Sequence, residues 1–153
     1  MIRREITVSG LSVVLLAATA SFAQDEFGKC EWSKPPAPLE KKRQTVKGTL
    51  RFDTVAKEVQ FLGKGGAGFI IKYEAVTGLV YELTKKPRYA EAILLSPLFL
   101  LTSRKAHYLT IQYTDPATGT GEFALVKLHK SNYQAAVATA ETKTGKKAVR
   151  AIE

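Results

Sequence analysis

Two histidines, one cysteine and a glycine-rich loop are the residues of this chain that invite a chemical reading. The loop Gly63-Lys64-Gly65-Gly66-Ala67-Gly68 has the composition of a phosphate-binding turn. A P-loop, however, needs G-x-x-x-x-G-K-[ST] opening a helix, so that helix N–H groups point at the phosphate. Here no Lys-Ser or Lys-Thr pair follows, and Phe69-Ile70-Ile71 reads as strand. The loop is therefore read as a hairpin turn, where glycine takes positive φ at little steric cost. His107 and His129 lack a second histidine, a cysteine or a close carboxylate pair at ligand spacing, and read as structural. No G-x-S-x-G elbow stands out either. The residues call for no cofactor and no metal. The expectation is a protein that is not an enzyme, with a triad assembled only in space as the exception.

Charge is the one broad functional signal. The chain has 23 Lys+Arg against 14 Asp+Glu, a formal net charge of +9. Basic residues cluster at Lys41-Lys42-Arg43, at Lys85, Lys86 and Arg88, at Arg104-Lys105, and at Lys143, Lys146, Lys147 and Arg150. Such charge bears on association and solubility, not on fold.

The first 23 residues decide which partners that charge could meet. Arg3 and Arg4 precede an apolar run densest from Leu11 to Ala18, and Ser21-Phe22-Ala23 supplies small residues before Gln24. This is the tripartite pattern of a secretory signal peptide, cleaved after Ala23. An uncleaved anchor would want roughly 20 apolar residues, and Thr7, Ser9, Gly10 and Ser12 dilute the run. Export to the periplasm or the exterior makes nucleic acid a poor partner. An anionic lipid surface, an envelope polymer or an acidic protein suits it better. Removing 23 of the 153 residues leaves 130, one ordinary domain, and losing Arg3, Arg4 and Glu5 leaves a net +8. Cys30 would enter an oxidising compartment alone. It either pairs between molecules or stays an unreactive thiol. A monomer is expected, with a disulfide dimer through Cys30 as the alternative.

Three regions follow: a signal peptide over 1–23, an extended arm rich in proline and lysine over 24–45, and a folded domain over 46–153. Lys34-Pro35-Pro36-Ala37-Pro38 favours extended backbone in the arm, because proline fixes φ and lacks an N–H. From Val46 the pattern has period two, the mark of half-buried strands. Val46, Leu50 and Phe52 form one set, Val59 and Phe61 the next. Phe69, Ile71 and Tyr73 follow, then Leu79, Tyr81 and Leu83, then Leu109, Ile111 and Tyr113. Phe123 and Leu125 lie opposite Ala124, Val126 and Leu128. Asp53-Thr54, Asp115-Pro116 and Gly119-Thr120-Gly121 are turn chemistry suited to antiparallel hairpins.

The end of the chain switches period. Ser131 with Gln134 three residues on is a capping-box signature. Tyr133, Val137 and Ala140 recur at helical spacing, and the spacing predicts a helix over Asn132–Thr144, closed at Gly145. Val149 and Ile152 are read as a short strand or a packed tail. One segment, Tyr89–Thr102, is apolar on every face from Ala92 to Leu101 and interrupted by Pro97. It reads as a buried strand pair, as a short helix leading into a strand, or as an exposed loop. In the last case Leu98, Phe99 and Leu100 would meet a membrane or a partner, flanked by Lys85, Lys86, Arg88, Arg104 and Lys105.

About six strands closed by one C-terminal amphipathic helix is the order of a pleckstrin-homology-like (PH-like) domain. Phe69-Ile70-Ile71-Lys72-Tyr73-Glu74-Ala75-Val76-Thr77-Gly78-Leu79-Val80-Tyr81-Glu82 is similar to the I-x-Y-x-x-I-x-x-L-x-Y-E stretch of bacterial PH-like domains. Ser103-Arg104-Lys105-Ala106-His107-Tyr108-Leu109-Thr110-Ile111 resembles the S-K-K-K-H-x-L-T-I run of their secreted and membrane-attached relatives. Leu128-His129-Lys130-Ser131-Asn132-Tyr133 with Thr144-Gly145-Lys146-Lys147 resembles their helix and its end. The resemblance covers about Val46 to Val149. It implies a mainly β fold with one C-terminal α-helix: a bent, seven-stranded antiparallel barrel or sandwich that the helix caps, with Tyr89–Thr102 as the seventh strand or an insertion. It implies a binding or scaffold module for a protein or peptide. The lipid-binding branch carries a basic pattern in its first hairpin. Asp53-Thr54-Val55-Ala56-Lys57, taken as that hairpin, lacks it.

Overall fold

The computed structural model describes residues 25–34, 44–85, 87 and 104–152. In chain order these form β1 (Asp25–Lys34), β2 (Gln44–Asp53), β3 (Glu58–Gly63), β4 (Gly68–Lys72), β5 (Val76–Thr84), β6 (Ala106–Thr114), β7 (Gly121–Leu128), a helix α1 (Tyr133–Thr144) and β8 (Ala148–Ile152). The strands make one sheet in the order β4-β3-β2-β1-β7-β6-β5-β8. Neighbours are antiparallel except β5 and β8, which run parallel. The pairing is shortest where β1 meets β7. Only Glu31 with Lys127 and Trp32 with Val126 pair there, whereas β1 pairs with β2 along almost its whole length.

The alternating residues of β2, β3, β6 and β7 face one core. Leu50, Phe52, Val59, Leu109, Ile111 and Val126 are fully buried in it. The helix adds Ala136, Val137 and Ala140. These small side chains let its backbone lie close over the open side of the bent sheet. Its last turn ends as the spacing predicts, with the Gly145 N–H donating to the Glu141 carbonyl at 3.0 Å. The glycine loop is the expected hairpin turn between β3 and β4, with Gly65 and Gly66 at φ 73° and 79°.

The expected arm is corrected in its first half. Asp25–Lys34 is a strand at the centre of the sheet, and it bears Phe27, Cys30 and Trp32 in the core. Its alternation is hidden in the sequence because Phe27 and Trp32 are an odd number of residues apart. A β-bulge resolves this. The register passes from Phe27 opposite Leu50 to Cys30 opposite Gly48, so β1 gains one residue over β2. β1 thus joins the six expected strands as a further strand of the sheet, where a seventh strand or an insertion was expected of Tyr89–Thr102. Residues 89–103 lie outside the described residues, as do the proposed signal peptide and 35–43.

Two smaller expectations also change, and a third is met as a strand. The turn at Asp53–Lys57 joins β2 to β3 and is the second hairpin. Its lack of a basic pattern therefore says nothing about the first. The capping box does not form: Asn132 is the N-cap residue without a side-chain cap bond, and the Ser131 hydroxyl lies 2.6 Å from His129 Nδ1. Val149 and Ile152 do sit on a strand, yet their side chains are 58% and 73% exposed, so that strand joins the sheet through backbone pairing.

The β5–β7 half is buried on both faces. Val80, Thr110 and Leu125 lie directly across from one another on the side opposite the core and are all buried. One row further along, Glu82, Tyr108, Lys127 and Glu31 form a polar line across four strands. Burial and the nearby Glu31 carboxylate push the Tyr108 hydroxyl up to about 12.

Candidate functional site

The bulge in β1 builds the site. Lys29 sits there at φ 57°, a left-handed conformation that costs a non-glycine residue about 1–2 kcal/mol. A helix contact holds it: the Asn132 amide donates to the Gly28 carbonyl at 3.0 Å. Beside the bulge is a cleft of about 630 Å³. Three exposed lysines line it, Lys29 from β1, Lys47 from β2 and Lys64 from the β3–β4 turn, together with Glu31, Leu62 and His129. Gly48 lies beneath. A Cβ at that position would fall 2.2 Å from the Leu62 carbonyl oxygen, so β2 and β3 close under the cleft only around a glycine.

A second cleft of about 270 Å³ lies on the β7 side of the β1–β7 seam, over the start of β6 and the end of β7, lined by Arg104, Lys105, His107, Lys127, His129 and Lys130. His129 belongs to both clefts. Its ring is anchored by the Ser131 backbone N–H, which donates to Nδ1 at 3.2 Å. With Nδ1 accepting, the neutral ring carries its proton on Nε2. On the seam itself, Glu31 faces Lys127, with ammonium and carboxylate 3.9 Å apart.

The cysteine and the other histidine are structural. Cys30 is fully buried; its thiol contacts the Phe27 carbonyl oxygen at 3.2 Å, and burial pushes its pKa up. This corrects its placement in an arm and leaves no accessible sulfur for a dimer bridge. His107 stacks face to face on Tyr133, with ring centroids 3.6 Å apart. Its Nδ1 lies 2.7 Å from the Tyr81 hydroxyl, and Arg150 sits over the Tyr81 ring. Burial holds the His107 pKa below its ordinary value. Among the described residues no group of three or more His, Cys, Asp or Glu is placed to hold a metal ion.

The expected contact residues divide. Arg104 and Lys105 are exposed and line the second cleft, and Lys85 is exposed beyond the end of β5. Lys86, Arg88, Leu98, Phe99 and Leu100 lie outside the described residues. No helix of the described residues is long and apolar enough to cross a membrane. Two cations of the C-terminal cluster serve the fold: Lys143 reaches Thr54 and Asp25, and Arg150 pairs with Glu141 at 2.7 Å. Sequence reasoning missed Lys29, Lys47 and Lys64. The available signal was Gly28-Lys29 inside Phe27…Trp32, a glycine beside the residue that breaks an apolar alternation.

A bent antiparallel sheet of this order, closed by one helix after β7, is a PH-like fold. Among solved structures the chain is similar to one titled "Structure of the Spt16D Pob3N heterodimer", with a TM-score of 0.51 and 11% identity over 86% of this chain. It covers 56% of that chain, little more than half its length. At that identity the likeness is one of fold. No family model matches the chain, and no curated protein does.

Proposed function

We propose that the chain is an exported, non-enzymatic PH-like module of the bacterial envelope or exterior, which binds a protein or peptide. One observation carries the reading: a recess of about 630 Å³ is lined by exposed lysines, while His107 is stacked on Tyr133 and Cys30 is buried in the core. A recess of this kind suits recognition; the hydroxyl–imidazole pair at its edge, Ser131 with His129, is a contact between residues two apart, and among the described residues no carboxylate hydrogen-bonds the ring to orient it as a base. The pattern of residues 1–23 supports export. The test is capture of a partner from envelope fractions by the chain purified from Gln24 onward, followed by reconstitution from purified components. Direct, saturable binding of one protein supports the proposal. Turnover in a broad hydrolase screen, abolished by replacing a residue of either cleft, would overturn it.

A further inference from the structure

We infer that the two clefts act as one site for an acidic, extended peptide segment, whose carboxylates engage the lysines on both sides of the β1–β7 seam. The inference rests on the binding-module reading and adds the chemistry of the ligand. Lys29, Lys47 and Lys64 line the first cleft; Arg104, Lys105 and Lys130 line the second. All six are exposed. Among the described residues none of them has a carboxylate within ion-pair distance. The cations that tie strands and helix together are different: Arg51 pairs with Glu26, Lys127 with Glu31, Lys143 with Asp25 and Arg150 with Glu141. The clefts therefore hold charge that the fold itself does not use.

Shape selects the ligand. A flat bilayer touches protruding cations, whereas a recess of about 630 Å³ admits side chains. A lone small anion would fill one cleft and ignore the other, yet both meet at His129. Leu62, 48% exposed on the wall of the first cleft, offers apolar surface that a bare ion cannot exploit. An extended chain with several carboxylates and an apolar residue uses all of these features. Lys29 adds a further argument. The fold keeps a lysine where glycine would be relaxed, and that lysine faces the cleft.

The experiment is fluorescence anisotropy with a labelled glutamate-rich peptide containing one leucine. Inorganic phosphate and phosphatidylglycerol vesicles serve as alternative probes. The wild-type chain should bind the peptide, and more weakly as salt is raised, because exposed charges are screened beyond about 10 Å at 0.1 M. Reversing Lys47 and Lys64 together to Glu should weaken binding about tenfold, and so should reversing Arg104 and Lys130 together; two exposed ion pairs of ordinary strength account for that factor. Circular dichroism checks folding, and Lys→Gln versions replace any pair that fails it. Lys29→Gly should melt no lower than wild type and yet bind more weakly, which separates affinity from stability. Peptide affinity unchanged by both pairs, loss from only one cleft, or binding to vesicles or phosphate without the peptide would each overturn the inference. If a purified envelope partner binds while the acidic peptide does not, this inference fails and the binding-module reading stands.

Discussion

Replacing Trp32 by Ala tests whether β1 is part of the fold. Trp32 is 7% exposed. Its ring centroid lies 5.3 Å from that of Phe69 and 5.8 Å from that of Phe61. A buried tryptophan removes about 150–250 Å² from water, worth about 4–6 kcal/mol at about 25 cal/mol per Å². Core Trp→Ala substitutions cost about 3–5 kcal/mol, and that is the expected loss here. It is a large part of the roughly 5–15 kcal/mol that holds a domain together. With a urea m-value of about 2 kcal/mol per M, the midpoint should fall by about 2 M. The assay is equilibrium urea unfolding followed by circular dichroism. Trp32 is the chain's one tryptophan, so in the wild type its fluorescence should change at the same urea concentration as the dichroism. A loss below about 0.5 kcal/mol, as at ordinary surface positions, would refute the placement of β1. So would a fluorescence transition that precedes the dichroism.

Other outcomes follow from the same geometry. Cys30 should not react with a thiol reagent in the native state and should react fully in urea, and a non-reducing gel should show monomer. Asn132→Ala should cost about 1 kcal/mol, because its amide holds the Gly28 carbonyl. Ser131→Ala should cost less than about 0.5 kcal/mol, since its hydroxyl caps no helix N–H. Thermal melts of both variants separate the two. Burial lowers the His107 pKa in the folded state, so the unfolded chain binds more protons. Stability should therefore be complete above about pH 6.5, the ordinary histidine value, and fall as pH drops through it toward the folded pKa. His107→Phe should flatten that fall in urea midpoints measured across the range.

The barrel was legible where alternation was unbroken. Leu50 and Phe52, Val59 and Phe61, Leu109 and Ile111 announce their strands because one face is buried and the other wet. The helix was legible from Tyr133, Val137 and Ala140. β1 was not, because the bulge at Lys29 puts Phe27 and Trp32 out of phase and a proline run follows it. β8 was legible as one of two readings, a short strand at Val149 and Ile152, and the choice between them rests on backbone hydrogen bonds, which hydropathy does not record. The clefts were hidden for a related reason. Lys29, Lys47 and Lys64 come from three elements and meet only through the β1–β2–β3 register. Single basic residues far apart in sequence look like ordinary solvated surface.

The last strand has one more consequence. β5 is nine residues long and its sequence VTGLVYELT is rich in β-formers. Left bare, its outer rim would be a template onto which another molecule's strand could zip. β8 occupies that rim from Leu79 to Leu83 and leaves in its place a border only five residues long, interrupted by Arg150. Cutting the chain after Gly145 should therefore do more than lower the melting temperature. It should also promote self-association, visible as larger species in sedimentation than the full chain gives.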